Sequence, residues 1–243
     1  MTWLRGASKV KNSILAFGIL LLLIVSLSFL YWTDVISNVK WLPILSGLLT
    51  GFIVSVFQVF LSVRELNKLD KYDAMGIVAI LSTRDDPNYY RALIEHAEDE
   101  IKILGVTCKR FLDDFANCEA NAPSKNKVLL KALDNGLRVK ILIADHRFLI
   151  EEDKPKAAAA GKQLAQLAAK YQDQFQYVAY EHEPTHSIVV IDRQSIVGPS
   201  FPHVSSKFSP AIHLRHGSKF SGRYLEYFDK EWDKWTDGKK HLE

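Results

Sequence analysis

Residues 184–201, PTHSIVVIDRQSIVGPSF, place His186 at the head of an apolar run that closes on Asp192, and a Gly198–Pro199–Ser200 turn follows. An imidazole flanked by the hydroxyls of Thr185 and Ser187, with Ser200 after the turn, suits phosphate chemistry. The ring can attack or carry a proton, and hydroxyls and backbone N–H groups can hold phosphate oxygens. The charge pattern downstream points the same way. No acidic residue occurs between Arg193 and Leu225, a stretch that holds Arg193, Lys207, Arg215, Lys219 and Arg223 with His203, His213 and His216. The whole chain nearly balances, with 31 Lys+Arg against 28 Asp+Glu and a formal net charge of +3. Such segregation predicts a local positive field for phosphates, supplemented around Ser200, Ser205 and Ser206. The rival is a basic surface facing solvent or anionic lipid.

The expected ligand-binding set is therefore Thr185, His186, Ser187, Ser200, His203, Lys207, Arg215, His216 and Lys219. No metal and no cofactor is expected. His182 and His186 are four apart, and His213 and His216 three apart, but on strands those spacings do not bring rings together as a helix would. Cys108 and Cys118 lack metal-ligand spacing and read as structural thiols of a reducing compartment. Nothing resembles a P-loop, a dinucleotide-binding glycine fingerprint or a nucleophilic serine elbow.

The elements that must position these residues alternate. Asp86–Pro87 starts a helix, with Tyr90, Leu93, Ile94, Ala97 and Ile101 at helical spacing. IKILGVT (101–107) reads as a buried strand, KNKVLLKALDNG as a helix stopped at Asn135–Gly136, and LRVKILIAD as a strand. Residues 157–171 are alanine-rich and helical, with 154–162 the most loop-like stretch. FQYVAYE, HSIVVID and AIHLRH are further strands, and GRYLEYFDKEWDKW is an amphipathic closing helix. The expected class is α/β, a mixed sheet with helices on its faces over residues 85–243.

HSIVVID, then SIVGPSF, then the terminal YFDKEWDKW together resemble one half of the phospholipase D superfamily, over roughly residues 85–237. In that family a strand carries His-x-Lys-x-x-x-x-Asp before a Gly-Ser-x-Asn turn; the histidine attacks phosphorus, the lysine binds phosphate, and two motifs meet across a twofold. The resemblance thus implies a homodimer. This chain departs from the pattern. With Asp192 on the family aspartate, Thr185 and Ser187 take the histidine and lysine positions, and His186 falls between them. With His186 on the histidine, Ile188 replaces the lysine and Arg193 the aspartate. No frame restores the lysine, and GPSF lacks the asparagine. Without that cation a phosphoryl transition state is poorly stabilised. A degenerate site that binds a nucleotide or short single-stranded nucleic acid without cutting it is the leading expectation. The alternative is a nuclease or phospholipase acting as a dimer through His186.

The N-terminal quarter carries two uncharged stretches, 13–32 and 41–63, each long enough to span a hydrocarbon core of about 30 Å. They predict a two-helix transmembrane hairpin over 1–63, joined by a coupling segment, 64–84, to the 85–243 domain. Arg5, Lys9 and Lys11 before the first stretch and Arg64, Lys68 and Lys71 after the second predict cytoplasmic termini in a bacterial inner membrane. Gly47, Gly51, Ser55, Gln58 and Ser62 share roughly one helical face, suited to helix packing or to lining a pore. This layout resembles two-helix membrane effectors of bacterial anti-phage defence, the Hailong type in particular. The resemblance implies an ion channel gated by an oligonucleotide, built as a tetramer of paired domains, with membrane lipid and a signal-producing nucleotidyltransferase as further partners.

Overall fold

The computed structural model describes residues 15, 17–19, 21–29, 32, 42–201 and 204–240. The chain forms two compact units, residues 1–73 and 74–243.

Helix α1, Leu42–Ala74, runs 33 residues, all but the last of them in the first unit. Among the described residues no helix is long and apolar enough to cross a membrane. This overturns the expected transmembrane hairpin and the inner-membrane location. An uncharged stretch scores only the absence of charge, whereas a span needs one helix that is both continuous and apolar. The 13–32 stretch is described only in part. Of the 41–63 stretch, residues 42–63 are the front of a helix that continues through Arg64, Glu65, Lys68, Asp70, Lys71 and Asp73. The small-residue stripe lies on α1, but a Cβ built at Gly47 or Gly51 would meet no atom within 4 Å. The Ser55 hydroxyl donates back to the Gly51 carbonyl at 2.8 Å, satisfying itself within its own helix.

The second unit is a seven-stranded mixed sheet with helices on both faces. In chain order its elements are β1 (Ile77–Leu81), α2 (Pro87–Glu95), β2 (Glu100–Leu104), α3 (Lys109–Phe115), α4 (Val128–Asp134), β3 (Arg138–Ala144), α5 (Lys154–Tyr171), β4 (Phe175–Tyr180), β5 (His186–Ile191), β6 (Gln194–Pro199), β7 (Ala211–Arg215) and α6 (Lys219–Lys240). The strand order is β1-β7-β6-β5-β2-β3-β4. β2, β3 and β4 are parallel, and β5, β6, β7 and β1 continue the sheet antiparallel.

Local chemistry accounts for several boundaries. The Asp86 carboxylate accepts from the Asn88 and Tyr89 N–H groups and Pro87 occupies the first turn, so α2 begins where that pair predicts. α5 starts at Lys154, inside the stretch expected to be a loop, because Pro155 falls where the helix tolerates it and alanines follow. β1 and β6 are strands that periodicity did not single out. Residues 77–81 are short and uniformly apolar, and Gly198–Pro199 at the end of β6 imitate a turn.

Alternation along the strands sorts two cores. Ile101, Ile103, Val139, Ile141, Val189, Ile191 and Ile196 pack under α2 to α5. Leu104, Leu142, Val178, Tyr180, Ile188, Val190 and Val197 pack under Phe228 and Trp232 of α6. The carboxyl ends of β2, β3 and β4 therefore lie at the same sheet end as the start of β5, the end of β6 and the start of β7.

Candidate functional site

Ser187 stands directly opposite Gly198 in the β5–β6 pair. Directly opposed residues of an antiparallel pair share a face, with Cβ atoms about 5 Å apart. Over that point lies a cation from elsewhere in the chain. A Cβ built on Gly198 would sit 2.7 Å from Arg84 Nη2, 2.4 Å from the Pro210 carbonyl oxygen and 3.2 Å from Ala211 Cα. Arg84 follows β1. Its Nη2 donates to the Pro199 carbonyl at 2.7 Å and, more weakly, to the Pro210 carbonyl at 3.4 Å. The Lys207 carbonyl fastens the same segment, accepting from the Arg84 N–H at 2.9 Å and the Thr83 hydroxyl at 2.5 Å.

Arg84 is 5% exposed, and among the described residues no carboxylate pairs with it. Its Nε is buried without a partner. Arg110 on α3 approaches closely, donating to the Arg84 carbonyl at 3.1 Å and to Asp85 at 3.3 Å. Burial, and secondarily the charge of Arg110, hold the Arg84 guanidinium below its ordinary pKa, while Tyr90 opposes them. A buried guanidinium without a counter-charge is expensive. Two more orphaned polar atoms lie along the chain segment that forms this end of the site: Ser209 Oγ, and His213 Nε2 on β7. The Nδ1 of His213 is 2.5 Å from the Tyr89 hydroxyl. Buried polar atoms are normally paired, and a buried guanidinium that has no carboxylate partner leaves charge that an anion could balance.

Gly198 is thus a strand glycine that admits a cation to the backbone. Gly198→Ala is expected to destabilise the domain by about 2–4 kcal/mol, because backbone at Pro210 and Ala211 must give way. The urea midpoint checks this, and an unchanged midpoint would show that the close approach does not matter.

The expected site residues divide. Thr185, Ser187, Ser200 and Lys207 gather at the Arg84 end, where the Ser200 N–H donates to the Thr185 carbonyl at 2.9 Å. Lys207 Nζ lies 4.6 Å from the Phe208 ring centroid. His203 lies outside the described residues. Arg215 closes the other end of β7, roughly 13 Å away along the strand, and His216 and Lys219 follow it. Arg193 is with them, its carbonyl accepting from the His216 N–H at 2.8 Å. The acid-free stretch is therefore two basic groups at opposite sheet ends. His186 belongs to the α6 side: its ring meets Tyr224 and Tyr227 edge-on at 6.1 and 5.7 Å, and its Nδ1 is 2.9 Å from Thr185 Oγ1. His182 faces the Glu183 carbonyl with Nδ1 and Glu231 with Nε2, so both ring nitrogens are engaged. The Cys108 thiol is pushed up to about 12 by burial and is chemically quiet.

Asp192 has a structural task. Its carboxylate accepts from the N–H groups of Glu98, Asp99 and Glu100, each at 2.9 Å, clamping the entry to β2 onto the β5–β6 turn.

Burial holds His213 below the ordinary imidazole value of 6.5. Burial and Lys102 do the same to His216, against the pull of Glu100. The unfolded chain then binds the more protons, so the stability is complete above about pH 6.5 and is lost as pH falls through the depressed folded values. The urea midpoint is expected to drop from about pH 7.5 to about 5.5, by at most about 1.4 kcal/mol per pH unit for each histidine. His213→Phe removes one share of that slope; a slope unaltered by it would exclude His213 as a source.

No family model matches the chain, and no curated protein matches it. Among solved structures it is similar to TrmBL2, an archaeal chromatin protein described as showing a novel mode of DNA binding. The two share 12% identity with a TM-score of 0.43, over 79% of this chain and 69% of that one. A likeness of that size carries no inference about a ligand.

Proposed function

We propose that the 85–243 domain, with Arg84 at its threshold, is a phospholipase D-like module that binds the phosphate of a nucleotide or short single-stranded nucleic acid and does not cut it. The observation that carries this reading is the buried Arg84 guanidinium, without a carboxylate partner among the described residues, over Gly198 and opposite Ser187. On the family pattern Ser187 stands where the phosphate-binding lysine belongs. Arg84 supplies the missing cation from another element, and a planar guanidinium is well shaped to hold phosphate oxygens. Arg110 raises the local field, and the Ser187 and Ser209 hydroxyls offer further donors.

Binding without cleavage follows from what faces the site. Attack on phosphorus needs a nucleophile in line with the leaving group, and the family position for it holds Thr185, an alcohol whose oxygen bonds the His186 ring. His186 is packed on Tyr224 and Tyr227. The nuclease alternative therefore has a cation but no placed nucleophile.

Fluorescence anisotropy of a labelled short oligonucleotide and of a nucleotide tests the reading. Saturable binding is expected, with log affinity falling linearly as log salt rises and a shallow slope, because few phosphates are neutralised. Absence of saturable binding at low salt, or cleavage of the probe, would sink it.

A further inference from the structure

We propose that Phe208 and Phe201 form a stacking platform for an unpaired base, so that the Arg84 site takes single-stranded nucleic acid by a base as well as by a phosphate. The proposal rests on the phosphate reading above and adds to it the subsite for the base. Among the described residues of the 85–243 domain, the exposed large apolar side chains are Phe201 at 45%, Val204 at 46% and Phe208 at 62%. All three belong to the loop that joins β6 to β7. A domain that covers its other large apolar groups and leaves three in one loop marks that loop as a contact surface.

The loop is rooted on the cation. Pro199 and Pro210, whose carbonyls accept from Arg84 Nη2, stand at its two ends. Phe201 lies two residues inside the first and Phe208 two residues inside the second, each at most about 7 Å of chain away. The Lys207 carbonyl, next to Phe208, accepts from the Arg84 N–H at 2.9 Å. Phe208 ends a short 3-10 turn, Ser206–Phe208, and its N–H donates to the Ser205 carbonyl at 2.9 Å. A ring presented on fixed backbone binds with little ordering cost.

Lys207 Nζ lies 4.6 Å from the Phe208 ring centroid, so a second cation accompanies the ring. Aromatic rings beside cations are the combination that holds single strands: bases stack on the rings while the cations follow the phosphates. A paired base keeps its faces inside the duplex, so such a platform selects unpaired strands. A lipid surface is disfavoured, because the exposed Ser205 and Ser206 stand between Val204 and Phe208 and hydrocarbon would leave their hydroxyls without partners.

Fluorescence anisotropy of the full chain with a short thymidine oligonucleotide and an abasic oligonucleotide of equal length tests the platform. The parent is expected to bind the base-bearing strand at least about fivefold more tightly than the abasic one. Phe208→Leu, apolar but without a ring, should remove most of that difference and leave abasic affinity unchanged, whereas Phe208→Trp should keep it. Circular dichroism of both variants matching the parent separates lost stacking from lost fold. Equal, saturable affinity of the parent for the two strands would overturn the platform and leave the phosphate reading standing; absence of binding to either would remove both. A Phe208→Leu loss shared equally by the abasic strand would show that the ring only shapes the loop, and overturns the proposal. So would co-sedimentation with phosphatidylglycerol vesicles that Phe208→Ser abolishes, which would assign the patch to lipid.

Discussion

Arg84→Met is expected to weaken phosphate-ligand binding by at least about 100-fold, close to 2.7 kcal/mol, while leaving the unliganded domain about as stable as the parent. A charge-assisted hydrogen bond contributes about 1.5–3 kcal/mol, and a guanidinium can make two to one phosphate. The stability side is the more telling. Met fills most of the volume but carries no charge, so the substitution removes a buried cation that no carboxylate neutralises. Against that gain stand the donations from the charged guanidinium to the Pro199 carbonyl at 2.7 Å, worth about 1.5–3 kcal/mol, and to the Pro210 carbonyl, weaker at 3.4 Å. Near-cancellation is a signature of a residue kept for binding rather than for the fold. Titration of the oligonucleotide against both proteins, with thermal melts with and without it, reads both quantities. Parent-like affinity in Arg84→Met would show that the guanidinium only staples the 199–210 segment, and the phosphate reading would fall with it.

Asp192→Ala is expected to cost about 3–5 kcal/mol, the largest stability loss of any substitution considered, because three backbone N–H groups lose their acceptor together. The backbone adds to it. Asp192 sits at φ 48°, a left-handed conformation that Asp and Asn adopt readily and alanine resists. Asp192→Asn keeps the conformational tolerance and one amide oxygen, so its cost should be about half as large. Urea midpoints rank the variants, and amide exchange at Glu98, Asp99 and Glu100 should quicken in both. Equal costs for alanine and asparagine would place the effect elsewhere. Asp192 thus acts through the backbone it gathers.

Much of the second unit was legible. Period-two alternation in LRVKILIAD marks strand β3, the apolar run of HSIVVID marks β5, and the Asp86–Pro87 cap marks α2 because its cause is local. Legibility failed where a segment's environment outweighs its own pattern. Residues 77–81 look like a connector because a short uniform apolar run has no period. Gly198–Pro199 look like a turn because glycine and proline usually mark one, although this glycine makes room for a guanidinium. That glycine was the one signal of the site within the strand itself, and it could say that something approaches but not what. The uncharged runs of the first quarter predicted spans that the structure does not bear out, since composition of a window does not establish one continuous apolar helix.

The amino-acid sequence by itself determined the α/β class, most element boundaries and the concentration of hydroxyls around residues 185–200. Those are properties of neighbours in the chain. Only the tertiary structure decided which cation faces Ser187, that the acid-free stretch splits between two sheet ends, and that His186 turns towards α6. Arg84 and Gly198 are 114 residues apart, and nothing along the chain couples them. The pairing of β1 with β7, and of β7 with β6, brings them together, because strand order is set by which apolar faces bury one another across the whole sheet.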